Sequence, residues 1–541
     1  MQMESIAIDL LHTFITSYRN KHQELFRFFD YQPYEENVFH ERMQDMKEYT
    51  YPRENLSKVL NDLNKRWKAS DETFSNIERL KADESMVVIG GQQAGLLTGP
   101  LYTIHKIVSI IQLAQKQEKE LNKPVLPVFW IAGEDHDFDE INHIYLPSEN
   151  ELVKHPFNDG ATDRSSVSHR KVDRDQLKQW VKEVTKQLDE TTYTKDLFYT
   201  MNRCVDESET LVDFFATFVH HLFAESGLIL VDSADPQVRG LEAEFFTKMI
   251  QTHGTWHPGV YQSLQSLRQL GYPISVDVDE DDGHLFYHLD NERILLKREG
   301  ALWIGKNNEC RLTEEELLHI ASDHPERLSN NVVTRPIMQD LLFPTLAFLG
   351  GPSEVGYWSI LKPTFQAFER KMPPVLPRVS ITLVEEKVNK RLATYDIPVD
   401  SSIQYGTIDQ KQNWLRSQLS PPIHTLETQL KQTITKAHEP LQDVANSMSD
   451  DVKHYAKKNL EFILEDVETL TQRLRKEVEN ENTHHIQVFD YVNLHLHPEN
   501  GLQERIWNVL YFMNQYGTDW IHQLYQYDFD YQQPHYIAYL P

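Results

Sequence analysis

The chain has 541 residues, several times the length of a usual single domain, so more than one core is expected. Acidic residues outnumber basic ones by 82 to 54, a net charge of −28, and such a field repels phosphate backbones and anionic lipid. That argues against nucleic acid and the membrane as partners. Hydrophobic residues at 40% and charged residues at 25% are ordinary for a folded protein. Two cysteines, Cys204 and Cys310, are too few for a disulfide framework or a four-thiolate zinc site. No apolar run approaches the roughly 18 residues that span a bilayer. Glu4 and Asp9 stand where a signal peptide would be apolar. A reducing, cytoplasmic compartment is the expectation.

Residues 1–80 read as a helical segment packed on the core. Leu10, Leu11, Phe14, Ile15 and Tyr18 recur at three-to-four spacing, as do Leu56, Val59, Leu60, Leu63 and Trp67. Ser70 and Asp71 predict the start of a further helix. Between 81 and 141 an apolar run at 86–90, a helical stretch through Ile104, Ile107, Val108 and Ile111, and a second apolar run at 125–131 predict a parallel strand–helix–strand unit buried on both faces. The alternation breaks over 142–226, a first insertion. It resumes over 227–271 with a strand at 228–231. A second insertion of short strands covers 272–330, with turns expected at Asp281-Asp282-Gly283 and Asn291-Glu292. The core pattern returns over 331–385, with runs at 345–349 and 375–381. One α/β core from non-contiguous segments follows.

Residues 386–541 read as a helical domain. From Ile423 through Leu430, Leu441 and Tyr455 to Leu470 and Val478, apolar residues alternate spacings of three and four, a coiled-coil seam over about 421–480. Pro440 is expected to kink or divide it. The last fifty residues carry Trp507, Tyr511, Phe512, Trp520 and Tyr525, too apolar for a free tail.

In open parallel sheets ligands bind beyond the carboxyl ends of the strands, and four runs end there in polar or glycine-rich sequence. They are 90–95 with Tyr102, His105 and Lys106 in the following helix, 133–140, Asp232-Ser233, and 350–354. The glycine-rich stretch reads either as an anion cradle at a helix start or as an ordinary strand-to-helix loop. It matches neither the P-loop nor the dinucleotide-binding pattern. Segment 134–140 holds five carboxylates and one imidazole in seven residues. Such a loop can hold a divalent ion, an ammonium or sugar hydroxyls, or supply a general base. Zinc is not expected, since His136 and His143 stand without an H-E-x-x-H pattern.

Four segments, GGQQAGLLTGPLYTIHK at 90–106, FWIAGEDHDFDEINH at 129–143, LGGPSEVGYW at 349–358 and HPENGLQERIW at 497–507, resemble the bacillithiol biosynthesis cysteine-adding enzyme family. The resemblance runs through the whole chain. It implies a Rossmann-like nucleotidyl-transferase core, similar to that of class I aminoacyl-tRNA synthetases, with connecting-peptide insertions and a C-terminal α-helical coiled-coil domain that makes a homodimer. It implies a ligase that adds cysteine to the glucosamine amine of glucosaminyl-malate. The synthetase-like relatives carry H-x-G-H after the first strand, whereas this chain has the single His105 there, and Pro377-Arg378-Val379-Ser380 stands in place of a K-M-S-K-S-like sequence. ATP or ADP binding, with Mg²⁺, rests on fold analogy alone.

Under this reading His105, Asp135, His136 and Asp137 are the catalytic candidates. Gly90, Gly91, Gln92, Gln93, Tyr102, Glu134, Ser353, Glu354, Tyr357, Trp358 and Arg378 are the substrate-binding ones. Asn500, Gln503, Glu504, Arg505 and Trp507 are a candidate second nucleotide site, and no residue is assigned to a resident metal. The rival readings are a metal-dependent hydrolase centred on 134–140 and a nucleotide-binding coiled-coil scaffold.

Overall fold

The apolar runs are strands of one parallel sheet in a computed structural model that describes residues 1–8, 13–135, 137–148, 151–160, 166–290, 292–419 and 422–541. Met86–Gln92, Val125–Ile131, Ile229–Asp232, Thr345–Gly350 and Val375–Pro377 are the first to fifth core strands. Their order across the sheet is fifth, fourth, first, second, third. The first strand therefore pairs with the second on one side and the fourth on the other. Strand order reverses between the first and fourth, which opens a crevice at their carboxyl ends. All five strands are buried on both faces, apart from the half-buried Gln92 that ends the first, which is why they read as continuous apolar runs. A Cβ on Gly90 would stand 2.5 Å from the Leu349 carbonyl oxygen, and one on Gly91 2.5 Å from that of Trp130. Glycine is needed at both for the neighbouring strands to close.

The chain divides into two units. The first comprises 1–148, 152–383 and 503–541, and the second 149–151 and 384–502. In the first, the insertion over 272–330 forms a five-stranded sheet, ordered Arg311–Thr313, Leu302–Gly305, Glu292–Glu299, Asp282–Leu289, Leu328–Asn330. Asp282 and Gly283, expected in a turn, are strand residues, because Gly283 packs against the Leu296 carbonyl and the Trp303 ring. Asn291 lies outside the described residues.

Two further expectations are corrected here. The N-terminal segment is not wholly helical: Gln2–Ile6 is a strand, antiparallel to His535–Tyr539, which joins Ile381–Val384 in a three-stranded sheet. The alternation over so few residues carries little helical signal, and the partner strand lies over 500 residues away. The aromatic-rich C-terminal segment accordingly packs into the first unit, with Trp507, Phe512, Trp520 and Phe529 buried.

In the second unit Ile423–Asn446 and Asp450–Glu481 form a helical hairpin, tied by Lys431–Glu468 at 3.3 Å and His438–Asn459 at 3.2 Å. The first helix runs through Pro440, and the chain divides at Ser447–Ser449 instead. A proline costs its helix one hydrogen bond and a clash, about 3 kcal/mol; contact along the length of a second helix offsets that. Among the described residues no helix is long and apolar enough to cross a membrane.

A buried ion network fastens the N-terminal helices to the core sheet. Arg42, fully buried, donates to the Thr345 carbonyl at 3.0 Å, the Lys371 carbonyl at 2.7 Å and Asp340 at 2.6 Å. Arg370 reaches the other Asp340 oxygen at 3.3 Å. Removing the carboxylate leaves two buried guanidinium groups without it. Asp340→Ala is expected to cost about 3–5 kcal/mol, read as a lowered midpoint of thermal or urea unfolding, with Asp340→Asn intermediate.

Candidate active site

A cavity of about 570 Å³ lies where the strand order reverses. The ends of the first, second and fourth core strands line it through Gly91, Gln92, Gln93, Glu134, Asp135, Asp137, Gly351, Ser353 and Glu354. The third strand does not. Asp232 at its end is buried at the far side of the sheet and accepts both bonds of the Ser168 hydroxyl, at 2.9 and 2.7 Å, and burial pushes its carboxyl up to about 6. A Cβ on Gly133 would collide with this pair.

Five cations line the same cavity: Lys106, Arg293, Arg335, Arg378 and Arg505. Lys106, on the helix Tyr102–Leu121, donates to the Gly91 carbonyl at 2.6 Å, to Gln92 at 2.9 Å and to Glu354. Burial pulls its ammonium down and Glu354 opposes that. Glu354 also accepts from the Gly351 N–H at 2.8 Å, closing the start of the helix Pro352–Trp358. Burial pushes its carboxyl up, but Lys106 and Arg335 outweigh burial and hold it low. The ammonium and carboxylate therefore face each other charged, at the joint of the first and fourth strands.

Glu134 is not an open carboxylate. It accepts from Arg239 of the long helix Pro236–Gln269, and Arg239 also donates to Glu242 at 2.7 Å. Burial pushes Glu242 up to about 7. Asp135 accepts from Gln93 at 2.7 Å and lies 3.8 Å from Arg293, and Asp137 is exposed beside it. His136 lies outside the described residues. Among the described residues no group of three or more His, Cys, Asp or Glu is placed to hold a metal ion.

His105 is placed differently from expectation. It is fully buried and does not line the cavity; its Nδ1 is 2.7 Å from Glu504. An ionised carboxylate only accepts, so Nδ1 donates. Burial pulls the imidazole down, against the pull of Glu504. Glu504 takes two bonds from Arg378 at 2.9 Å, one from Ser380 at 2.8 Å and one from the Ile381 N–H at 3.2 Å. Burial pushes Glu504 up, but Arg378 and then His105 hold it well below the usual carboxylate range. The helix carries His105 on its inner face, one residue before Lys106 on the cavity side. The sequence shows both but not which face each takes.

Other expected residues are absorbed by packing. Gly90 is inside the sheet, Tyr357 accepts from Arg335, and Trp358 stacks on Phe348 at 4.2 Å; none lines the cavity. The expected second site is not assembled either. Gln503 is buried and bridges the Leu383 N–H and carbonyl, Glu504 and Trp507 are buried, and Asn500 belongs to the second unit. Arg505 alone is exposed, without an ion-pair partner among the described residues. It lines both the main cavity and an adjoining one of about 330 Å³. Gln92, Gln93 and Tyr102 border both as well. The adjoining cavity is walled by a loop in which Leu97, Thr98 and Gly99 all have positive φ, held by Asn508 donating to the Leu97 and Gly99 carbonyls at 3.0 and 2.6 Å.

Sequence reasoning missed Arg239, Arg293, Asn330 and Arg335. Their reach into the site depends on how the insertions fold back, which no local spacing encodes.

Two family models cover nearly the whole chain. Residues 1–379 match the N-terminal Rossmann-like domain of bacillithiol biosynthesis BshC, and 381–540 its C-terminal coiled-coil domain. Proteins named "Putative cysteine ligase BshC" are similar over their full length: 39% identical in Oceanobacillus iheyensis and 38% in a Geobacillus species, each covering 100% of both chains. One from Bacillus cereus is 37% identical over 97% of both chains. The Rossmann-like core, the coiled-coil hairpin and these matches agree, and the chain belongs to the bacillithiol biosynthesis BshC family of cysteine ligases.

Proposed function

We propose that this ligase joins the carboxyl of cysteine to the glucosamine amine of glucosaminyl-malate, completing bacillithiol, with ATP activating the carboxyl. The observation that carries the reading is one cavity lined by five cations and by the carboxylates Asp135 and Asp137. Amide formation needs an activated acyl carbon and a neutral amine. The nitrogen attacks that carbon, the C–N bond forms, the phosphate-bearing leaving group departs, and a proton leaves the nitrogen. Lys106, Arg335, Arg378 and Arg505 suit phosphate or malyl carboxylates. Asp135 and Asp137 suit the ammonium and the departing proton. Mg²⁺ bound with ATP would take phosphate and water oxygens plus one or two carboxylates, and these two aspartates are oxygen donors of the right kind. A reducing cytoplasm fits the free thiols and a thiol product.

The direct test incubates purified protein with glucosaminyl-malate, cysteine and ATP-Mg²⁺ and follows products by mass spectrometry. Bacillithiol and a nucleotide product in equal amounts are expected; bacillithiol formed equally without ATP removes the activation step from the proposal.

Side-chain roles separate kinetically. Asp135→Asn or Asp137→Asn, whichever removes the proton acceptor, is expected to lower kcat by about 10²-fold or more with an unchanged melting temperature. Arg505→Gln is expected to raise KM for an anionic substrate several-fold and leave kcat nearly intact, because its exposed guanidinium meets ligand but supports no packing.

The hairpin supports a two-fold dimer. Leu426, Leu430, Leu441, Val444, Leu470 and Leu474 remain exposed on it, more apolar surface than a lone hairpin keeps in water. A second copy buries the same patch on both partners. Light scattering at micromolar concentration is expected to give a dimer, and Leu470→Glu with Leu474→Glu a monomer, since charge on the seam must be desolvated. A wild-type monomer, or a double variant that stays dimeric, overturns the assignment.

A further inference from the structure

We infer that Asn330 reads a pair of neighbouring ring hydroxyls on the sugar acceptor, and that the insertion sheet supplies the acceptor-recognising wall of the cavity. The inference rests on the reading above that the acceptor is a glucosaminide. Asn330 ends the strand Leu328–Asn330 and pairs in register with Leu285. Its side chain lines the cavity, is 1% exposed, and neither its amide nitrogen nor its amide oxygen has a hydrogen-bond partner among the described residues.

The residues on either side are fully committed. Ser329 accepts from Arg293 at 3.1 Å and from His288 at 2.8 Å. Asn331 accepts from the N–H groups of Val333 at 2.8 Å and Thr334 at 3.2 Å, and its amide donates to His284 at 3.1 Å. The Asn330 backbone carbonyl takes a bond from Arg293 at 2.7 Å. The backbone is thus fixed on both sides while the one amide between them is left open. A buried amide with both ends unmade is costly to keep, so a group that completes it belongs in the cavity.

The chemistry of that group follows from the amide, which offers one acceptor and two donors in a plane. A phosphate or carboxylate only accepts and leaves the Asn330 oxygen facing another oxygen. An ammonium only donates, and the zwitterion of cysteine would bring its positive end beside Arg293, already bound at the Asn330 carbonyl. Vicinal hydroxyls both donate and accept without charge. Phe286 and Leu295 line the same cavity. Arg293 covers a face of the Phe286 ring at 3.8 Å. Polar amide beside apolar side chains suits a pyranose, which is polar at its edge and apolar on its CH face.

The test compares wild type with Asn330→Leu, which keeps the side-chain size and deletes the amide. The acceptors are glucosaminyl-malate and analogues lacking the 3- or the 4-hydroxyl; turnover and equilibrium binding by calorimetry are both measured. Expected are a rise of about tenfold in KM and Kd for glucosaminyl-malate, an unchanged KM for cysteine, and a melting temperature that does not fall. One deoxy analogue should bind wild type about tenfold more weakly yet bind Asn330→Leu as well as the parent does. Three results overturn the inference: acceptor affinity unchanged with a lowered melting temperature, which makes the amide a holder of structural water; a raised KM for cysteine alone; or analogue and variant losses that multiply. If wild type binds the glycoside but makes no product, the ligase reading fails by itself, and Asn330 is still judged from the binding constants.

Discussion

Burying the Glu504 carboxylate is the constraint on which the first unit depends. Taking such a charge out of water costs several kcal/mol, and here the cost is met by donors from three separate stretches of chain. His105 comes from the helix after the first core strand. Arg378, Ser380 and the Ile381 N–H come from the stretch after the fifth. Glu504 itself comes from the C-terminal segment, whose last strand, His535–Tyr539, lies between Gln2–Ile6 and Ile381–Val384. One anion therefore sets the helix, the end of the sheet and the returning C-terminus against one another. It also orients the cavity, because the Arg378 guanidinium it grips lies 5.6 Å from the Tyr102 ring, and both line the site.

A second pair does similar work at the reversal of strand order. Lys106 joins the first strand, through Gly91 and Gln92, to Glu354 after the fourth. A crevice between strands that run outward in opposite orders has no strand to fill it, so its walls are held by ion pairs. This costs the site part of its charge. Lys106 and Glu354 largely answer each other, and Arg239 answers Glu134. The unpaired exposed guanidinium of Arg505 and the Asp135–Asp137 edge are left to meet ligands, which is why mutational effects there should divide between binding and turnover and not appear as unfolding.

The sheet was legible in the sequence because buried parallel strands are apolar without interruption. The runs at 86, 125, 228, 345 and 375 needed no long-range information. The strand ends at 90–95, 133–140 and 350–354 pointed to the cavity for the same reason, and the four motif segments identified the family. What failed to show was anything decided by rotation or return of the chain. His105 and Lys106 are adjacent in sequence, yet one is turned inward to Glu504 and the other to the cavity. Glu134 looks free in a run of acids until Arg239 arrives from a helix a hundred residues on. Gln2–Ile6 has too few residues to announce a strand whose partner is at the other end of the chain. Pro440 was read as a break by its own chemistry, whereas packing against a second helix decides whether that helix continues.

The same division orders the site by origin. Core-strand ends supply glycine backbone, aspartates and the lysine, groups that any activated-carboxyl chemistry at this crevice would need. The insertion sheet supplies Phe286, Arg293, Leu295 and Asn330, which form one wall and share no ion pair with Lys106 or Glu354. Arg293 alone ties the two, by its approach to Asp135 at 3.8 Å and its bonds to Ser329 and Asn330. A change of acceptor can therefore be accommodated by altering the insertion without disturbing the network that holds the core. A change in the chemical step cannot, because its residues are the ends of the strands that make the fold.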